Sequence, residues 1–183
     1  KVSEKDWQGR KDLRHLSFVT IDGATAKDFD DAIFVETTKD GFHLMVAIAD
    51  VSHYVKIGSA IDSEAYLRGT SVYFPNFVVP MLPEVLSNNL CSLMPHVPRL
   101  SMVADMKISF SGELESAHFY ESVILSQARI TYGEAQEVID GSDVPALAHV
   151  KDMLLRSADL AKILMARRFR DGSLDLEIPE TEI

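Results

Sequence analysis

The sequence predicts an α+β fold: a mixed, largely antiparallel sheet with flanking helices. Two observations carry this. Extended apolar runs separated by turn residues, interrupted by two short helical stretches, make up most of positions 16–126, whereas helical periodicity dominates positions 131–170. Strands first and helices late, without the regular strand–helix alternation of a parallel sheet, is the order of an α+β chain.

The elements follow in order. Leu16–Ile21 (LSFVTI) reads as a short buried strand, and an Asp-rich turn spans Asp22 to Asp31. Ala32–Glu36 and His43–Ala49 read as strands joined by Lys39-Asp40-Gly41, a hairpin signal. Ile61–Arg68 reads as a helix closed by Gly69. Val72–Phe74 is extended and stopped by Pro75, and Pro83 suits the first position of a helix running to Leu90. Leu100–Phe110 and Glu113–Ser126 form a long hairpin about Ser111-Gly112. Thr131 and Glu134 make a capping box for a helix to Ile139. Ala146–Arg170 is a long amphipathic helix, and Leu174–Ile178 a last strand whose open edge offers a route to self-association.

At 183 residues the chain suits one domain, 1–183, without internal repeats or linkers. Lys plus Arg total 18 against 28 Asp plus Glu, a net charge of −10. That acidity argues against an ordinary nucleic-acid binder, which carries basic patches. The charge is uneven, however: residues 151–170 hold six basic and two acidic side chains, while residues 16–150 hold seven and eighteen. No run is long and apolar enough to span a membrane. The lone Cys91 excludes an internal disulfide framework and a multi-cysteine zinc site, and makes the cytoplasm the default compartment.

The sharpest feature is the segment TIDGATAKDFDDA, where Asp22, Asp28, Asp30 and Asp31 fall within ten residues. Crowding four carboxylates on one anchored turn is unfavourable unless something offsets the charge. A hard divalent cation does so, because Mg²⁺ prefers carboxylate oxygens while retaining waters. The spacing is not that of an EF-hand. A solvated turn, its Asp side chains bonding nearby backbone donors, is the competing reading of the same residues.

Several blocks together resemble one family. Asp12-Leu13-Arg14, VTIDGATAKDFDDAIF (19–34), VAIADVSHYV (46–55), RGTSVYFP (68–75) and PMLPEVLSNNLCSL (80–93) are similar, in order, to the catalytic (RNB) domain of the ribonuclease II family. The resemblance implies a Mg²⁺-dependent processive 3′→5′ exoribonuclease that hydrolyses single-stranded RNA to nucleoside 5′-monophosphates. It implies one or two Mg²⁺ ions, replaceable by Mn²⁺. Asp22, Asp28 and Asp31 match metal-site aspartates, Asp30 matches the aspartate most tightly tied to chemistry, and Tyr73 matches a tyrosine stacking on the 3′-terminal base. Family members continue within the same domain and add cold-shock and S1 domains. The expectation is therefore a partial domain with little activity alone. A non-catalytic RNA-binding or regulatory module is the alternative.

The remaining candidates are weaker. Arg68 and Arg99 are candidate RNA contacts, Arg68 equally a partner for helix-end carbonyls. Asp50 reads as a structural cap, His43 and His53 as strand-surface residues, and Cys91 as a buried inert thiol. Lys162, Arg167, Arg168 and Arg170 form a stripe that is either a solvated face or an RNA path.

Overall fold

A computed structural model describes residues 3–74 and 77–174. Its frame is a seven-stranded sheet: β1 (Lys11–Asp12), β2 (Val19–Asp22), β3 (Asp31–Thr37), β4 (Gly41–Ala49), β7 (Pro98–Ser109), β8 (Leu114–Leu125) and β9 (Ala128–Thr131). The spatial order is β1-β8-β7-β4-β3-β2-β9. Neighbours pair antiparallel except at the two edges, where β1 joins β8 and β2 joins β9 in parallel. The other two strands, β5 (Val72–Tyr73) and β6 (Val78–Val79), form a separate small ribbon.

Both expected hairpins are present. Gly41 is required by a close approach and not by backbone handedness: a side-chain carbon there would collide with the Ile108 carbonyl of β7. Gly112 takes φ 84° at the β7–β8 turn, a conformation glycine adopts without strain.

The period-2 alternation of the strands separates two faces. On one, Phe18, Ala32, Met45, Ala47, Val103 and Ile124 pack with Leu86, Cys91 and Leu93. On the other, Val19, Ile130, Val35 and Phe42 lie beneath α3 (Tyr132–Ile139) and α4 (Lys151–Arg170). The capping box closes as expected: the Glu134 amide donates to Thr131 Oγ1 at 3.2 Å, and the Thr131 amide to Glu134 Oε2 at 2.8 Å.

The two remaining helices are α1 (Val51–Tyr54) and α2 (Ala60–Arg68). Asp50 caps α1, accepting from the His53 amide at 3.1 Å, and pairs with buried Arg10 at 2.6 Å, in keeping with a structural role. Gly69 ends α2 with φ 73°.

Several elements differ from expectation. Pro83 starts a helical turn that widens over Leu86–Leu90 into a π-turn, closed by the Cys91 amide on the Leu86 carbonyl at 2.8 Å. Such turns are uncommon and have no simple sequence signature. The long helix begins at Lys151 and not at Ala146, because Pro145–Leu147 forms a separate 3₁₀ turn that buries Leu147. The edge strands β1 and β9 were not expected at all. The last strand expected over 174–178 lies outside the described residues beyond Leu174.

Candidate active site

The acidic bend is the connection between two neighbouring strands. β2 ends in Asp22 and β3 begins with Asp31, so these two carboxylates flank the mouth of the bend. Asp28 and Asp30 lie on the way back, on either side of buried Phe29.

The backbone of this bend is tied down by protein groups. Ser92 Oγ donates to the Lys27 carbonyl at 2.8 Å and accepts from the Phe29 amide at 3.1 Å. The Leu93 amide donates to the Phe29 carbonyl at 2.7 Å, and the Ala49 amide to the Asp30 carbonyl at 2.8 Å. Arg129 of β9 donates from Nη2 to the Gly23 and Ala24 carbonyls, both at 2.8 Å.

The carboxylates are treated in the opposite way. Among the described residues none of the four accepts a hydrogen bond or ion pair from the protein, and Asp22 Oδ2 is buried without any partner. Burial, then the nearby charges of Asp31 and Asp30, push the Asp22 carboxyl above the usual carboxylate range. Burial and Asp30 do the same to Asp31. Asp28, Asp30 and Asp31 are exposed and open to water, as a solvated turn allows, but none bonds a local donor, and water does not reach the buried Asp22 Oδ2.

An orphaned carboxylate oxygen among mutually repelling carboxylates fits a hard cation, which would supply the missing positive charge. The cage is not ready-made: among the described residues no three Asp, Glu, His or Cys side chains already converge as a metal site.

The bend opens on a cleft of about 560 Å³ lined by Gly23, Lys27, Asp28, Tyr73, Ser87 and Asn88. A smaller cavity of about 170 Å³ adjoins it, with Asp28, Asp30, Ser87, Cys91 and Ser92 in its wall. Tyr73, 70% exposed on β5, therefore shares a cleft with Asp28. Cys91 is buried and its thiol is pushed up to about 11, chiefly by burial, in keeping with an inert group.

The two arginines part ways. Arg68 stands outside this cleft, its Nε on Glu64 and its Nη1 on the Pro80 carbonyl, both at 2.9 Å. Arg99 is a correction. It is 5% exposed, and its Nε donates to the Ser92 carbonyl at 2.8 Å. A guanidinium so enclosed does not reach RNA; it braces the residue that holds the bend. Ser92 and Arg129 were missed because they act on backbone carbonyls far away in sequence. In the basic stripe, Arg167 donates to the Gly112 carbonyl at 2.7 Å.

Fold and site together define a class, and comparison with known proteins agrees. The RNB domain family matches residues 10–183, and the chain belongs to that family. Among its relatives, ribonuclease R of Vibrio parahaemolyticus is 49% identical over the whole chain and that of Escherichia coli 45%. The chain spans only 22% and 23% of those proteins' lengths. The solved Mycoplasma genitalium RNase R in complex with ribose methylated single-stranded RNA superposes with TM-score 0.95 at 38% identity, over 100% of this chain and 29% of that one. Yeast Ssd1, a pseudonuclease, shares the fold at TM-score 0.77 and 18% identity, over 95% of this chain and 21% of its own.

Proposed function

We propose that this chain is the metal-bearing part of a Mg²⁺-dependent 3′→5′ exoribonuclease, which hydrolyses single-stranded RNA to nucleoside 5′-monophosphates in the cytoplasm. One observation carries the reading: the backbone of the bend is tied at both ends while all four of its carboxylates lack a protein donor. Three of the four are open to water, but a turn that existed only to connect two strands would not leave Asp22 Oδ2 buried without a donor.

Asp22, Asp28 and Asp31 would hold the cation, and Asp30 would face the terminal hydroxyl and a second ion. The bound metal would polarise the phosphate and help to generate the attacking hydroxide. The chain's own contribution is positional. Ser92 and Arg129 fix the bend, Phe29 anchors it in the core, and Tyr73 offers a flat aromatic surface in the same cleft. Stacking is indifferent to base identity, as degradation of any sequence requires. The net charge of −10 is no obstacle, since the acidic groups concerned act through cations.

The rival reading is an RNA-binding module without cleavage, since a fold alone does not decide chemistry. The test places residues 10–183 in full-length Escherichia coli ribonuclease R in place of the matching segment. A 5′-labelled oligomer should shorten from its 3′ end with Mg²⁺, and Asp30→Asn should stop cleavage while RNA binding persists. Undiminished cleavage by Asp30→Asn would remove the role given to Asp30. RNA bound but never cut by the unsubstituted chimera would establish the rival.

A further inference from the structure

We propose that Arg129 is a positioning residue for the acidic bend, fixing the Gly23–Ala24 turn so that Asp22 and Asp28 are presented to one cation. The inference rests on the reading of the bend as a divalent-cation site.

Arg129 lies on β9, and its partner in the parallel register is Thr20, two residues before Asp22. A single guanidinium nitrogen donates to two consecutive carbonyls, those of Gly23 and Ala24, each at 2.8 Å. The Ala26 amide closes the same turn on the Gly23 carbonyl at 3.2 Å. The guanidinium carbon also stands 5.7 Å from the centre of the Phe29 ring, between Asp28 and Asp30 in sequence. One side chain thus touches the bend just after its first carboxylate and again between its later ones.

What Arg129 leaves alone matters as much. A guanidinium beside an acidic cluster would ordinarily form a bidentate pair with a carboxylate. Here it spends its Nη2 hydrogen bonds on carbonyls and leaves both oxygens of Asp22 available. It therefore shapes the bend without occupying the sites a cation needs. Ser92 and the Leu93 amide hold the other end, so Arg129 governs the half that carries Asp22.

The test is a Mn²⁺ titration of the 183-residue chain, reading free Mn²⁺ by electron paramagnetic resonance, with a melting curve recorded without metal. Arg129→Met should weaken Mn²⁺ binding about 10–100-fold, the usual effect of losing a group that orients metal ligands. Arg129→Lys, which keeps the charge and a donor but not the fork, should fall in between. Arg167→Met is the control for general loosening. It removes a guanidinium–carbonyl bond of the same kind at Gly112, remote from the bend, and should bind Mn²⁺ as the unsubstituted chain does. Unchanged affinity in Arg129→Met overturns the positioning role, and so does an equal loss in Arg167→Met. Should Arg129→Met fail to fold, unchanged affinity in Arg129→Lys overturns it. Asp22→Asn separates the two levels. If it abolishes binding while Arg129→Met does not, only the positioning role falls. If Asp22→Asn leaves binding intact, the bend is not the site and both readings fall.

Discussion

Replacing Asp22 by Asn should make the metal-free protein more stable and the metal-bound protein less so. Asp22 Oδ2 is buried without a donor, and Asp31 and Asp30 repel its charge. The amide still lacks a partner there, so the gain comes only from removing a partly buried charge repelled by its neighbours, and partial exposure keeps it to about 1 kcal/mol. For a domain of this size that raises the midpoint of thermal unfolding by about 2–4 °C. Metal acts in the opposite sense. Mg²⁺ at a hundred times its dissociation constant stabilises the native state by about 2.7 kcal/mol, or about 5–11 °C, and this gain should vanish in Asp22→Asn. Differential scanning calorimetry with and without Mg²⁺ reads both quantities. A destabilised metal-free variant, or one that keeps the full Mg²⁺ shift, would refute the reasoning.

Three further outcomes are expected. Tyr73→Ala should weaken binding of single-stranded RNA by about 1–3 kcal/mol, the size of one stacked base, with no change in melting temperature because the ring is exposed; filter binding and a melting curve check this. Asp50→Ala leaves buried Arg10 uncompensated and should cost about 3–5 kcal/mol in urea denaturation, with much of the loss restored when Arg10 is also replaced by Met. Burial disfavours the charged imidazolium and alone would lower the His43 pKa; hydrogen bonds to Glu36 and Asp105, with the charges of both, outweigh this and hold it above the ordinary value. A raised histidine pKa stabilises fully below the unfolded value, near 6.5, and the gain is lost as pH rises through the folded value. His43→Gln should therefore flatten the pH dependence of stability across that window, as followed by urea midpoints.

Local chemistry explains which parts of the fold were legible in sequence. The hairpin at Lys39-Asp40-Gly41, the stop at Gly69 and the box of Thr131 and Glu134 are each specified by residues within a few positions of one another. The pairing of β9 with β2 is not, because Ala-Arg-Ile-Thr is four residues long and its partner lies more than a hundred positions upstream. The site divides along the same line. The aspartates announce themselves by crowding, whereas Ser92 and Arg129 contribute through carbonyls of distant segments, Arg99 through the carbonyl of Ser92, and all three resemble ordinary strand and loop residues in sequence. Arg99 misled through its burial: a basic residue at the start of a long hairpin resembles a surface contact until it is seen to be enclosed.

The parallel pairing of β2 and β9 has a consequence for timing. The aspartates are made before β9, the strand that carries Arg129, which follows only after β3, β4 and the β7–β8 hairpin. Closing so long a loop is slow and rewarded late. A nascent chain displaying all four acidic groups would still lack the contact that braces the Gly23–Ala24 turn, so competence for the cation should arrive with β9 and not with β2.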